Sequence, residues 1–276
     1  MSLLHALIVG LIQGLTEFIP VSSSGHLVLA QSLLGIDQPG ITFEVVLHFG
    51  TLASVFWVFW KDIISLIKAA FTFPKVLLKT PDFDTLKYKQ ERYFIILLII
   101  ATIVTAGIGL AFEDFFKGAY SNVTMVGFML LVTGGILFLT SIVKPKDKGI
   151  EKMKVKDSIL VGLFQSFAIF PGISRSGSTI AGAIFSGLNR ETAIRFSFIL
   201  SIPAILGATL LELIDALKLG FEKDLILPYI VGFLVAAISG IVAIKWLVSI
   251  LNRGKLYYFS FYCWVVGITV LVLAAF

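Results

Sequence analysis

The chain has 276 residues, of which 58% are hydrophobic and 14% charged, against roughly 45–50% and 25% in ordinary soluble domains. That composition excludes a soluble globular protein, and its unbroken apolar runs exclude a β-barrel, whose strands alternate polar and apolar residues over about ten positions. The net charge of +5 does not mark a nucleic-acid binder, because the first Lys or Arg is Lys61 and most of the rest cluster in two linkers between apolar runs, the pattern that orients a protein in a bilayer.

In chain order, Leu3 to Ile19 is apolar, with no basic residues ahead of it and polar residues directly after it, so it reads as mature protein rather than a cleaved signal. It is cut by Pro20-Val21-Ser22-Ser23-Ser24-Gly25-His26 and resumes from Leu27 to Gly35. Half-helices of about 10–15 residues reach the middle of a bilayer without crossing it. Residues 3–35 therefore read as a re-entrant helical hairpin whose polar turn lies inside the membrane. Ile41 to Trp60 follows as a full crossing. In the linker from Lys61 to Arg92, Ile63, Ile64, Leu66 and Ile67 among Lys61, Asp62 and Lys68 predict a short amphipathic helix on the headgroups. Tyr93 to Phe112 and Val123 to Val143 are the next crossings, followed by the basic linker Lys144 to Asp157. Ser158 to Phe170 is again cut, by Pro171-Gly172-Ile173-Ser174-Arg175-Ser176-Gly177-Ser178, and resumes from Thr179 to Leu188, a second re-entrant hairpin over 158–188. Ala193 to Leu213, Leu225 to Leu251 and Leu256 to Phe276 complete the crossings; Cys263, alone of its kind, reads as a packing residue with no disulfide partner.

The two interrupted segments are copies. At an offset of 152, Val9-Gly10-Leu11 matches Val161-Gly162-Leu163, Gln13 matches Gln165, and Ser22, Ser24 and Gly25 match Ser174, Ser176 and Gly177. One residue further on, Ile41, Phe43 and Leu47 match Ile194, Phe196 and Leu200. An internal duplication explains this. The expected fold is all-α, a polytopic membrane protein of two inverted repeats, 1–150 and 151–276, each with one re-entrant hairpin and three transmembrane helices. An odd number of crossings per repeat inverts the second copy. With both basic linkers inside, only Lys117, Lys218 and Lys223 of the 22 Lys and Arg fall outside, and Arg175 falls within the membrane. Both termini are then outside, and the two polar turns meet near the midplane.

Glu17, His26, Glu44, His48 and Arg175 are the ionisable residues within apolar blocks, and charge at that depth marks function unless paired or hydrated. Gln13 and Glu17 share a helix face. They could hold a hard cation such as Mg²⁺ or Ca²⁺ in an open site completed by phosphate oxygens, or simply line a water pocket. Pro20 ends the first half-helix and Ser22 is a natural N-cap for the second, whose free N–H groups make an anion site together with Ser24 and Gly25. Ser23 and His26, three apart, share a face as a nucleophile and base in the general sense, a spacing that also recurs by chance. The second turn is a stronger phosphate cradle: Arg175 offers a planar fork, and Ser174, Ser176, Gly177 and Thr179 add donors. It is not a Walker A loop, and a mere hydrated helix break would account for its Ser and Gly but not its Arg. Glu44 reads either as a substrate contact or as a structural pair, and His48 as structural. Their counterparts are Ser197 and Ser201, so the acidic site belongs to one half. Arg195, Glu212 and Lys245 lie near block ends and reach the interface.

Taken together, Gln13-Gly14-Leu15-Thr16-Glu17-Phe18, Pro20 to His26, Thr42-Phe43-Glu44-Val45-Val46 and Pro171 to Gly177 resemble the undecaprenyl-diphosphatase, or bacitracin-resistance, family of bacterial plasma membranes, over essentially the whole chain. The resemblance implies removal of the terminal phosphate of a polyprenyl diphosphate lipid, giving undecaprenyl phosphate for cell-wall synthesis, with a divalent cation. It places the family's Glu/Gln-x-x-x-Glu motif on Gln13 and Glu17, its histidine on His26, its serine on Ser23 and its arginine on Arg175. Gln in place of Glu at position 13 leaves Glu17 as the principal carboxylate. Whether the nucleophile is Ser23, His26 or water stays open. The expected site opens to the outer face; a homodimer is an open option; a transporter or lipid flippase on inverted repeats is the rival reading.

Overall fold

The computed structural model describes residues 1–34, 41–77, 86–120, 122–143, 146–219 and 223–275. Among these every regular element is helical. The first half holds α1 (Leu3–Phe18), α2 (Ser23–Leu34), α3 (Ile41–Val58), α4 (Trp60–Ala70), α5 (Phe73–Leu77), α6 (Lys89–Ala111), α7 (Glu113–Tyr120) and α8 (Val123–Leu139). The second holds α9 (Val155–Phe167), α10 (Arg175–Phe185), α11 (Arg190–Leu219), α12 (Ile226–Asn252) and α13 (Tyr258–Ala274).

α6 and α12, with 23 and 27 residues and mean hydropathy 2.7 and 2.3, rise about 35 and 40 Å, beyond the ~30 Å hydrocarbon core. Arg190–Leu210 of α11 is the third helix long and apolar enough to cross. Large apolar side chains such as Ile103, Leu110, Ile238 and Val265 remain exposed on the outside of the bundle, as lipid contact requires. The protein is a membrane-embedded helical bundle. The crossing expected over Ile41 to Trp60 stops at Val58, where the chain turns through 85° into α4. α4 is the amphipathic helix expected there: Ile63 and Leu66 are buried and Ile64 and Ile67 exposed. Arg195 does more than reach the interface; it pairs with Asp62 at 2.7 Å and lies over the Phe94 ring, tying α4 and α6 to α11.

The two halves interlock. α1 lies along α12 and α9 along α6; α3 packs on α11 and α12, and α8 on α13. Exchanging the halves maps each of these pairings onto itself or onto another that is present. The close approaches correspond too: a Cβ on Gly10 would stand 2.9 Å from the Gly232 carbonyl oxygen, and one on the matching Gly162 would stand 2.8 Å from that of Ala101. Only small residues let helix backbones approach so closely. The core beneath the two hairpins is aromatic, with Phe18 and Phe59 both against Phe198 and Phe94 against Phe196. Several buried hydroxyls in the helices return their hydrogen bonds to carbonyls one turn back, as Ser166 does to Gly162 at 2.9 Å and Ser239 to Val235 at 2.6 Å, which keeps those groups satisfied away from water.

Candidate active site

α1 and α2 are joined by a tight turn, and so are α9 and α10; each break sits at a proline that cannot donate to a helix. In the first turn Ser22 adopts φ 71°, a left-handed conformation that costs a non-glycine residue about 1 kcal/mol or more. Four hydrogen bonds hold it there. Its Oγ accepts from the N–H of Gly25 at 3.3 Å and from that of Gly172, in the other turn, at 3.1 Å. Its carbonyl oxygen accepts from the His26 N–H at 3.1 Å and from the His26 ring at Nδ1, 2.8 Å away. The second turn repeats the device: Ser174 caps α10 by accepting from Gly177 N–H at 3.1 Å. Ser22 and Ser24 hydroxyls pair at 3.3 Å, and their counterparts Ser174 and Ser176 at 3.2 Å. Thr133 of α8 fastens the second turn, donating to the Gly172 carbonyl at 2.8 Å and accepting from Ser174 N–H at 3.1 Å.

These caps leave the first residue of each hairpin's second helix, Ser23 and Arg175, projecting from a helix N-terminus toward one carboxylate. Glu17, buried at the end of α1, accepts from Ser23 Oγ at 2.6 Å and from Gln13 Nε2 at 3.1 Å on Oε2. Its Oε1 accepts from Arg175 Nη2 at 2.8 Å, an ion pair with side chains 14% and 7% exposed. Arg175 stands at the offset position of Ser23, so two duplicated sites supply two different donors to one acid. Arg175 Nη1 and Gln13 Oε1 are buried with no hydrogen-bond partner: two residues that touch Glu17 each keep one polar atom unpartnered.

The expected pairing of Ser23 with His26 is not the one formed. Ser23 bonds the carboxylate, a stronger acceptor than an imidazole. His26 is fixed elsewhere. A carbonyl can only accept, so Nδ1 carries the proton toward Ser22, and in the neutral ring Nε2 then accepts from the Tyr262 hydroxyl at 2.8 Å. The two rings also stack, 5.7 Å apart and 12° from parallel. Tyr262 lies in an apolar block of the last helix, and nothing in its spacing in the sequence links it to the hairpin. His48, read as structural, has a buried Nδ1 with no partner and lies within electrostatic reach of Glu17. Glu44 sits one turn earlier on α3 and is half-buried. Thr179 turns its hydroxyl away from the turn, to the Arg175 carbonyl and to Ser197 of α11.

Among the described residues no three His, Cys, Asp or Glu side chains cluster as a metal cage. What Glu17, Gln13 Oε1 and Ser23 present is a set of oxygen donors, the kind a hard divalent cation takes, sufficient only for an open site whose remaining ligands come from water or phosphate.

A membrane bundle in which a carboxylate, a serine and an arginine are joined where two helix pairs meet presents donors suited to an anionic group. A family model described as Bacitracin resistance protein BacA matches residues 6–269, and the chain belongs to that family. It is similar over nearly its whole length to proteins named undecaprenyl-diphosphatase. That of Halothermothrix orenii is 46% identical over 274 residues, 99% of both chains. That of Alkaliphilus metalliredigens is 44% identical over 277 residues, 99% of this chain and 98% of its own. A third, from Methanobrevibacter smithii, is 42% identical over 278 residues, 98% of this chain and 97% of its own.

Proposed function

We propose that the protein is an undecaprenyl-diphosphate phosphatase: with one water it converts undecaprenyl diphosphate to undecaprenyl phosphate and inorganic phosphate, returning the carrier lipid to cell-wall synthesis and conferring bacitracin resistance. The observation that carries this reading is Glu17, which receives Ser23 from one hairpin and Arg175 from the other while Arg175 Nη1 remains open. Bound diphosphate takes that open guanidinium donor and lies on the N-terminal ends of α2 and α10, each equivalent to about half a positive charge. Ser23 either attacks the terminal phosphorus, forming an Oγ–P bond as the bridging O–P bond breaks, with water then cleaving the Oγ–P bond to release phosphate, or orients a water that attacks the phosphorus directly. The proton passes to Glu17, its present hydrogen-bond acceptor. His26, held by Ser22 and Tyr262, is the second base within the hairpin and the alternative proton carrier or nucleophile. Positioning and charge neutralisation do most of the work in phosphoryl transfer.

A Mg²⁺ or Ca²⁺ ion fits the oxygen donors of Glu17 and Gln13, and when bound it supplies charge to offset the diphosphate. The resting Glu17–Arg175 pair is neutral, so the two helix ends alone fall short of the substrate's charge. The architecture belongs to the same reading: halves 1–150 and 151–276 are inverted repeats, each opening on a re-entrant hairpin, in a bacterial plasma membrane. The interlocked pairing of α1 with α12 and α9 with α6 and the placement of Lys and Arg support this. The first hairpin then dips from outside, and the site opens to the outer face.

Purified protein in detergent should release phosphate from a C15 or C55 prenyl diphosphate with Mg²⁺ or Ca²⁺ and lose the activity with EDTA. No release under either cation, with lipid or ion flux across vesicles, overturns the reading in favour of a transporter or flippase. Labelled substrate separates the chemical routes: label retained on protein after Ser23→Ala eliminates the serine as its carrier.

A further inference from the structure

A cavity of about 840 Å³ opens beyond the end of α1, within the ~300–1,000 Å³ of ligand sites; Glu17, Ser23 and Arg175 are not among its walls. Leu15 and Ile19 of the first hairpin, Trp246 of α12 and Tyr262 of α13 are among its walls, and Arg253 and Lys255 line it where α12 ends. α1 runs alongside α12 with Gly10 against Gly232 and Gly14 against Ala236. α1 therefore stops near the middle of α12, while α12 continues for another three turns. The cavity is the volume that a half-helix leaves unfilled beneath its tip.

Its charge is one-sided. Among the described residues Arg253 and Lys255 pair with no carboxylate; Lys255 lies over the Tyr258 ring, 5.6 Å from its centroid. The C-terminus of α12 offsets only about half a charge. A bilayer does not leave such a volume open, and what fills it must carry an anion at one end and apolar chain along the rest. The substrate's prenyl tail offers no anion there, and free phosphate makes no use of the apolar walls.

We propose that this niche is a structural lipid site. It holds one anionic phospholipid of the leaflet on the side of Arg253 and Lys255, with its phosphate on those two side chains and its acyl chains along Leu15, Ile19 and Trp246. The site rests on the re-entrant reading of the first hairpin. Because the chains pack against Tyr262, whose hydroxyl bonds His26, an occupied niche also steadies that histidine.

Native mass spectrometry of the purified full chain with phosphatidylglycerol and phosphatidylcholine tests it. The wild type should retain one phosphatidylglycerol at least tenfold more strongly than phosphatidylcholine, and R253Q/K255Q should lose that preference, with K255Q alone intermediate. In vesicles, prenyl diphosphate hydrolysis should rise severalfold from pure phosphatidylcholine to a phosphatidylglycerol mixture in the wild type and stay flat in R253Q/K255Q. Equal retention of the two lipids by the wild type, undiminished preference in R253Q/K255Q, displacement of phosphatidylglycerol by a prenyl phosphate, or displacement by inorganic phosphate each overturns the proposal. The retention measurement does not depend on hydrolysis: a protein that held phosphatidylglycerol selectively but released no phosphate would refute the enzymatic reading and leave the lipid site standing.

Discussion

Glu17 and Arg175 form a pair whose two single removals are not equivalent, and the geometry says how they differ. In Glu17→Gln the guanidinium keeps its charge at 14% exposure and loses its only ion-pair partner among the described residues, with Nη1 already unpartnered. Stranding a buried charge costs about 3–5 kcal/mol. In Arg175→Gln the carboxylate still accepts from Ser23 at 2.6 Å and Gln13 at 3.1 Å. Hydrogen bonds to a charged group contribute about 1.5–3 kcal/mol each, so the loss should be smaller than for Glu17→Gln. The double variant E17Q/R175Q strands no charge, and its loss should fall below the sum of the singles by about 2–3 kcal/mol, within the range of contacting pairs. Equilibrium unfolding in mixed micelles measures all three. Phosphate release should be abolished in each, the double variant included. Additive singles would refute the stranded-charge argument, and a double variant with restored release would make the pair a structural clamp outside the chemistry.

Ser23→Ala removes the 2.6 Å donor to Glu17; if the hydroxyl only orients water, kcat/KM should fall about 10–150-fold, the equivalent of ~1.5–3 kcal/mol, and a larger loss marks it as the nucleophile. Tyr262→Phe keeps the ring stack and removes the hydroxyl that fixes His26 Nε2; at about 1 kcal/mol, kcat should fall about fivefold with KM unchanged, whereas an unchanged kcat refutes a positioning role. Gly10→Ala drives a Cβ to 2.9 Å from the Gly232 carbonyl and should destabilise the fold by about 1–3 kcal/mol. The matched control, Gly107→Ala, meets nothing within 4 Å and should be neutral or stabilising by up to about 1 kcal/mol.

Much of the architecture is legible in the chain because a bilayer constrains it so strongly. Apolar runs long enough to cross mark α6, α11 and α12; Pro20 and Pro171 mark the breaks; and the repeated Ser-x-Ser-Gly marks both caps. The turn at Phe59 is legible only as the change from apolar run to amphipathic linker at Lys61; no Pro or Gly stands there, and the 85° bend follows from docking α4 on α6 and α11. The site is legible as a set of residues but not as a set of bonds. Helical spacing groups Ser23 with His26, yet Ser23 is the first residue of α2, and a helical side chain leans toward its own N-terminus. That direction carries the hydroxyl out of the helix end to Glu17. Partners 158 and 236 positions apart, Arg175 with Glu17 and Tyr262 with His26, leave no local pattern at all.

On the inverted-repeat reading proposed above, the match between the two turns explains why one half holds the acid and the other the guanidinium. Matched turns place matched residues at matched distances from the point where the hairpins meet, so two identical copies would set like groups against each other. Two carboxylates or two guanidiniums at bilayer depth would repel in a medium that screens them poorly. Divergence at a few positions resolves this: Ile169 stands at the position matching Glu17, Arg175 at that matching Ser23, and Ser178 at that matching His26, while the capping serines and glycines stay the same. The retained residues hold both helix N-termini on the site, and the divergent ones make it an ion pair that is neutral at rest. An anion then meets a site whose carboxylate already accepts from three donors, with Arg175 Nη1 still unpartnered, and it can enter without first displacing a buried charge.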